Sequence, residues 1–91
     1  MRVRWTAPAA RDLYRITAYI RRDNPEAARN VAKAIYDGCE SLAYSPNRGR
    51  IGTEPGTREL IFPQLPYIAI YRIKDSIVEI TRIWHGARMR H

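Results

Sequence analysis

His85 follows directly on Trp84 at the end of a β-branched run, and an imidazole placed there could work as a general acid or base near neutral pH. The sequence identifies no carboxylate to orient it, so packing or simple exposure is the competing reading. His91, the terminal residue, has less around it still. Two arginine groups stand out beside the histidines: Arg48, Arg50 and Arg58, then Arg82, Arg88 and Arg90, the latter in a stretch with no acid after Glu79. A sheet that gathered these would present a positive face able to meet phosphates or an acidic protein, and a solubilising surface is the plainer alternative. Tyr67 and Tyr71 are spaced to share one face of a strand, where they either line a surface that stacks on bases or pack into a core. Phosphate-binding loops, zinc-protease helices, nucleophile elbows and paired-glycine dinucleotide fingerprints do not occur. Any catalysis would therefore come from Arg, His, Tyr or Lys on a sheet, which suits RNA cleavage.

The elements that must position these groups are legible in the spacing. Val3 and Trp5 alternate with Arg2 and Arg4, a period of two that predicts a short N-terminal strand. Thr6 can cap a helix with Pro8 in its first turn, and Ala9, Leu13, Ile16 and Ile20 follow at helical spacing, leaving Arg11, Arg15 and Arg22 wet. Asn24-Pro25-Glu26 starts a second helix, whose stripe is Ala28, Val31, Ile35, Cys39 and Leu42. So short a connection forces an antiparallel hairpin, and Tyr14, Tyr19, Tyr36 and Tyr44 are expected to pack on it with wet hydroxyls. Residues 45–56 are rich in Gly and Pro and read as loop. Residues 57–62, 67–73 and 77–84 read as three strands of an antiparallel meander. In the last of them Val78 and Ile80 share a face that Ile83 does not, so either both faces are covered or a bulge shifts the register. The expected fold is α+β, with the helical hairpin on one face of the sheet and the first strand joining as an edge or a central partner. The tail from Gly86 to His91 reads as loose.

Size and composition bound the rest. Ninety-one residues with a net charge of +7, carried by 14 Arg and 2 Lys, make one basic domain over residues 1–91. The arginine bias suits bidentate anion contacts, and GC-rich coding bias would produce it equally. A lone Cys39 offers neither a disulfide nor a zinc clamp, and the sequence has no apolar run of export-signal or membrane-span length. A cytoplasmic protein without metal or cofactor is expected.

Several fragments in order, Trp5-Thr6, Ala10-x-Asp12-Leu13, Tyr19-Ile20, Asp23-Asn24-Pro25-x-Ala27-Ala28, Pro46-x-x-Gly49-Arg50, Gly56-Thr57-Arg58-Glu59-Leu60, Pro66-Tyr67-Ile68, Tyr71-Arg72 and His85-Gly86-Ala87-Arg88, together resemble the RelE/ParE superfamily of type II toxin–antitoxin toxins. The resemblance implies a growth-inhibiting toxin, of the kind found in plasmid-stabilisation modules, held inactive by a cognate antitoxin in a hetero-oligomer. RelE-like members are ribosome-dependent mRNA endonucleases, and ParE-like members inhibit DNA gyrase. Under the RelE-like reading, Arg58 matches the arginine of the family's strand-two motif and His85 lies near a catalytic histidine of some branches. Two departures point the other way: Ile68 stands where those branches carry an arginine, and residues 48 to 58 contain no lysine. The His85-Gly86-Ala87-Arg88 ending and the long Asn-Pro-initiated helix look ParE-like. The expectation is a gyrase inhibitor, with the ribosome and mRNA as the alternative target and a plain protein-binding module third. Its expected binding surface is Arg48, Arg50, Tyr67, Tyr71, Arg82 and Arg88, and an acidic, partly disordered antitoxin would suit it.

Overall fold

The structure, a computed structural model, describes residues 1–86. Of the expected tail, residues 87–91, Arg88 among them, lie outside the described residues. The chain runs β1 (Arg2–Trp5), α1 (Ala7–Arg21), α2 (Pro25–Glu40), a 3-10 turn at Ser41–Ala43, β2 (Arg50–Ile51), β3 (Arg58–Ile61), β4 (Tyr67–Lys74) and β5 (Ile77–His85).

Both helices begin where their caps predict. Thr6 Oγ1 accepts from Ala9 N–H at 3.3 Å, and Asn24 Oδ1 accepts from Ala27 N–H at 3.0 Å, with a proline in the first turn of each helix. Ala9, Ala28, Ile35, Cys39 and Leu42 are buried as the helical stripes require. Ala9, Ile35, Cys39 and Leu42 meet Leu60, Ala69, Tyr71, Val78, Ile80 and Ile83 from one face of the sheet, so the hairpin covers a single face. The four hairpin tyrosines are more exposed than expected. Tyr14, Tyr19 and Tyr44 lie open to solvent, and Tyr36 stacks on Trp5 with ring centroids 6.2 Å apart.

The sheet has five strands in the order β1-β5-β4-β3-β2, which corrects the three-strand meander plus one. The extra strand, β2, sits inside the segment read as loop and pairs with β3 through only two residues. β1 is an edge strand and runs parallel to β5, with Val3 opposite Val78 and Trp5 opposite Ile80. The register ambiguity of the last strand resolves as a bulge. Ile70 pairs with Arg82 but Tyr71 with Ile80, which leaves Thr81 as the extra residue. Its hydroxyl donates to Ile70 C=O at 3.1 Å. The bulge reverses the alternation, so Val78, Ile80 and Ile83 all face the helices.

Burial among these residues pushes the Cys39 thiol up to about 12, with a smaller push from the Glu40 charge. The folded state therefore favours the protonated thiol, a stabilisation present below pH ~9 and lost as pH rises from about 9 toward 12. Relative to Cys39→Ala, the unfolding free energy from urea melts should fall by about 1.4 kcal/mol between about pH 8 and pH 10. Equal pH dependence of the two proteins would contradict this.

Candidate functional site

Beyond the bulge β1 has ended, and the free edge of β5 is taken over by α1. Thr6 N–H and Oγ1 both donate to Ile80 C=O, at 3.1 and 2.9 Å. One and a half turns on, Asp12 closes the join. Its Oδ2 accepts from Ile83 N–H at 3.0 Å, while Arg82 donates to both carboxylate oxygens, from Nε at 2.7 Å and Nη2 at 3.0 Å. Asp12 is 8% exposed. The hydrogen bonds to Asp12 hold the Arg82 guanidinium above its ordinary pKa. The Arg82 guanidinium also lies over Trp84, 5.1 Å from the ring centroid.

Next to this join, α1 and the ends of β4 and β5 enclose a groove of about 780 Å³. Asp12, Arg15, Ile16 and Tyr19, one face of α1 at helical spacing, form one wall. Tyr67, Ile83, Trp84 and His85 form the other, where the Tyr67 and His85 rings meet edge to face at 5.6 Å. The groove combines aromatic surface with the cations Arg15 and Arg82, a lining suited to an amphipathic, acidic segment.

The residues expected to act together are distributed differently. Arg58 pairs with Tyr71 and His85 with Tyr67, so the two are four residues apart along β4, roughly 13 Å at about 3.3 Å per residue, with that strand between them. Arg58 Nη1 donates to Gly49 C=O at 2.8 Å and to Asn47 C=O at 3.3 Å, which ties down the loop before β2. Tyr71 shares a face with Tyr67 as expected, but that face is the core. At 0% exposure Tyr71 presents nothing to a partner, and its hydroxyl donates to Pro46 C=O and accepts from Gly49 N–H. Arg48 donates to Ser41 Oγ at 2.6 Å, and Arg50 to the buried Glu59 at 2.8 Å. Of the expected surface, Tyr67 and Arg82 come together in the groove, and Arg50 lies on β2, at the far edge of the sheet. Sequence reading did not assign Trp84, Ile16, Arg15 or Tyr19 to a site. The signal that marks the α1 wall is the 12, 15, 16, 19 spacing. No local signal marks Trp84.

A helical hairpin laid on one face of a mostly antiparallel sheet, with an aromatic and cationic groove at the α1–β5 join, defines a small α+β domain. Residues 3–90 match the family model described as ParE toxin of type II toxin-antitoxin system, parDE. The chain belongs to the ParE toxin family, within the RelE/ParE superfamily. Toxin RelE1 of Caulobacter vibrioides is 37% identical over 84 residues, covering 90% of this chain and 89% of that one. Among solved structures, the chromosomal ParDE toxin–antitoxin system from P. aeruginosa superposes with a TM-score of 0.85 at 30% identity, covering 93% of this chain and 95% of the other. The toxin–antitoxin complex RelBE2 from Mycobacterium tuberculosis gives a TM-score of 0.65 at 26% identity, over 92% and 95% of the two chains.

Proposed function

We propose that this toxin arrests growth by inhibiting DNA gyrase and that an acidic antitoxin restrains it by docking in the α1–β5 groove. The observation that carries the gyrase reading is the commitment of Arg58. Its Nη1 is held by two loop carbonyls, and the residue sits about 13 Å along the strand direction from His85, so the two are not arranged to act on one phosphodiester. An arginine is also a poor proton shuttle at neutral pH, and Ile68, at the place of the endonucleases' arginine, is buried. The name of the Caulobacter relative keeps the mRNA endonuclease as the second reading.

For the antitoxin, groove chemistry supplies the argument. A partner that binds only the folded toxin adds RT ln(1 + [L]/Kd), about 2.7 kcal/mol at a hundredfold excess over Kd. Arg15 and Arg82 would meet its acids, while Tyr19, Tyr67 and Trp84 would cover its apolar residues.

Purified toxin, tested in gyrase supercoiling and in ribosome-programmed mRNA cleavage, should block the first and leave mRNA intact. Cleavage with unimpaired supercoiling would overturn the gyrase reading. The double variant Arg58→Lys, His85→Ala should keep gyrase inhibition within about threefold, a difference of roughly 0.65 kcal/mol. Loss of mRNA cleavage in that variant would support the endonuclease instead.

A further inference from the structure

The sheet face away from the helices carries an ordered cationic array. On this face Arg2 and Lys74 flank Ile77 in one row, and Arg4 and Arg72 flank Glu79 in the next. Two cation columns thus stand on β1 and β4 with β5 between them, about 9.6 Å apart at ~4.8 Å per strand, and the rows are about 6.6 Å apart. All four cations are exposed. Glu79, 5% exposed, is held by Arg4 and by Arg72, whose Nε donates at 2.7 Å. The acid thus orients two guanidinium forks and leaves their outer N–H groups facing solvent, above a hollow of about 200 Å³. Asp75, in the β4–β5 turn, is the other carboxylate at this end.

We propose that this array binds the phosphodiester backbone of duplex DNA. Charge complementarity supplies the attraction, with four cations against two carboxylates on an uncovered face. The absence of stacking surface between the columns selects the duplex. Single-strand binders combine cations with aromatic platforms, whereas here Ile77 lies between the columns, and the open-face aromatic Trp84 is at the far end under Arg82. Recognition is of the backbone, without base reading. The inference goes beyond gyrase inhibition and does not depend on it, since the face carries its charge whichever target the toxin has.

Fluorescence anisotropy of a short labelled DNA duplex, titrated with the full-length toxin alone, tests it. With four phosphates neutralised, affinity should fall about 150-fold between 50 and 200 mM salt, and in Arg2→Gln, Lys74→Gln about 12-fold, from a slope of ~0.9 per contact. Arg2 and Lys74 form no ion pair among the described residues, so the variant should fold as the parent does. Arg21→Gln, Arg29→Gln, on the helices, removes the same charge elsewhere and should keep the parental slope. The inference is overturned if the duplex does not bind at 50 mM salt or if the helix variant loses as much slope as the sheet variant. It is also overturned if a single-stranded oligouridylate binds more tightly, or if polyglutamate displaces the duplex at equal charge. Gyrase inhibition measured on the same preparations separates this result from the target reading, because either can fail alone.

Discussion

Asp12→Ala should be the most destabilising change at the α1–β5 join, lowering the unfolding free energy by about 3 kcal/mol and Tm by roughly 12–24 °C for a domain of this size. The substitution removes two charge-assisted hydrogen bonds to Arg82 and leaves Ile83 N–H buried without an acceptor. Arg82, 41% exposed along its side chain, can re-solvate, so its charge adds little to the loss. Arg82→Ala removes the opposite partner and leaves a nearly buried carboxylate with one backbone donor, at a cost of about 2 kcal/mol. The two changes share one interaction, so the double variant should lose clearly less than the sum of the singles. Asp12→Asn, which keeps an acceptor for Ile83 N–H, should cost about half as much as alanine. Urea midpoints for the four proteins check this, and an Asp12→Ala variant within about 0.5 kcal/mol of the parent would refute it.

The same join shows what a sequence can disclose. Helix starts depend on residues three apart, and the buried stripes recur every three to four positions, so Thr6, Asn24 and the run from Ala28 to Leu42 announce themselves. Contacts between distant residues do not. Val3 against Val78 is a parallel pairing with no turn chemistry to mark it, and Asp12 meets Arg82 across seventy positions of chain. β2 is two residues between Gly49 and Gly52 with Ile51 exposed, so its composition is that of a loop. Period-two alternation also assigns two residues to one face without saying which face is wet. That is why the spacing puts Tyr67 and Tyr71 on one face without showing that Tyr71 is core.

The arginine surplus changes meaning once its partners are seen. Arg50 covers Glu59, Arg4 and Arg72 cover Glu79, and Arg82 covers Asp12, three carboxylates each less than 10% exposed. Removing any of these acids would free guanidinium groups that solvent can take, whereas removing an arginine strands an acid in or near the sheet. Part of the basic composition is therefore structural. On the uncovered face Arg2 and Lys74 form no ion pair among the described residues, and they share one end of the sheet with Arg4 and Arg72.

Tyr71→Phe should cost about 2–3 kcal/mol, a large effect for the loss of one oxygen atom. The ring keeps its packing between Leu60, Ile80 and the helices, so no cavity arises. What is lost is the hydroxyl that donates to Pro46 C=O at 2.7 Å and accepts from Gly49 N–H at 2.9 Å. Both backbone groups belong to the turn that delivers β2, and neither has another hydrogen-bond partner among the described residues. Gly49 is also where Arg58 finds one of its acceptors, so loosening it should weaken the β2 edge as a unit. Amide exchange at Gly49 and Arg50 should accelerate by more than exchange at Val78 or Ile80, which a uniform loss of stability would not produce. Gly49→Ala probes the same contact from the other side. An added Cβ would lie 2.6 Å from the Tyr71 hydroxyl oxygen and 2.9 Å from Glu59 C=O, so a shift is unavoidable. In the Tyr71→Phe background the clash with the hydroxyl oxygen disappears, while those with the ring, 2.7 Å from Cε1, and with Glu59 C=O stay. Gly49→Ala should therefore destabilise the phenylalanine variant by less than it destabilises the parent, and equal penalties in the two backgrounds would mean that the ring and Glu59 C=O, not the hydroxyl, set the clash.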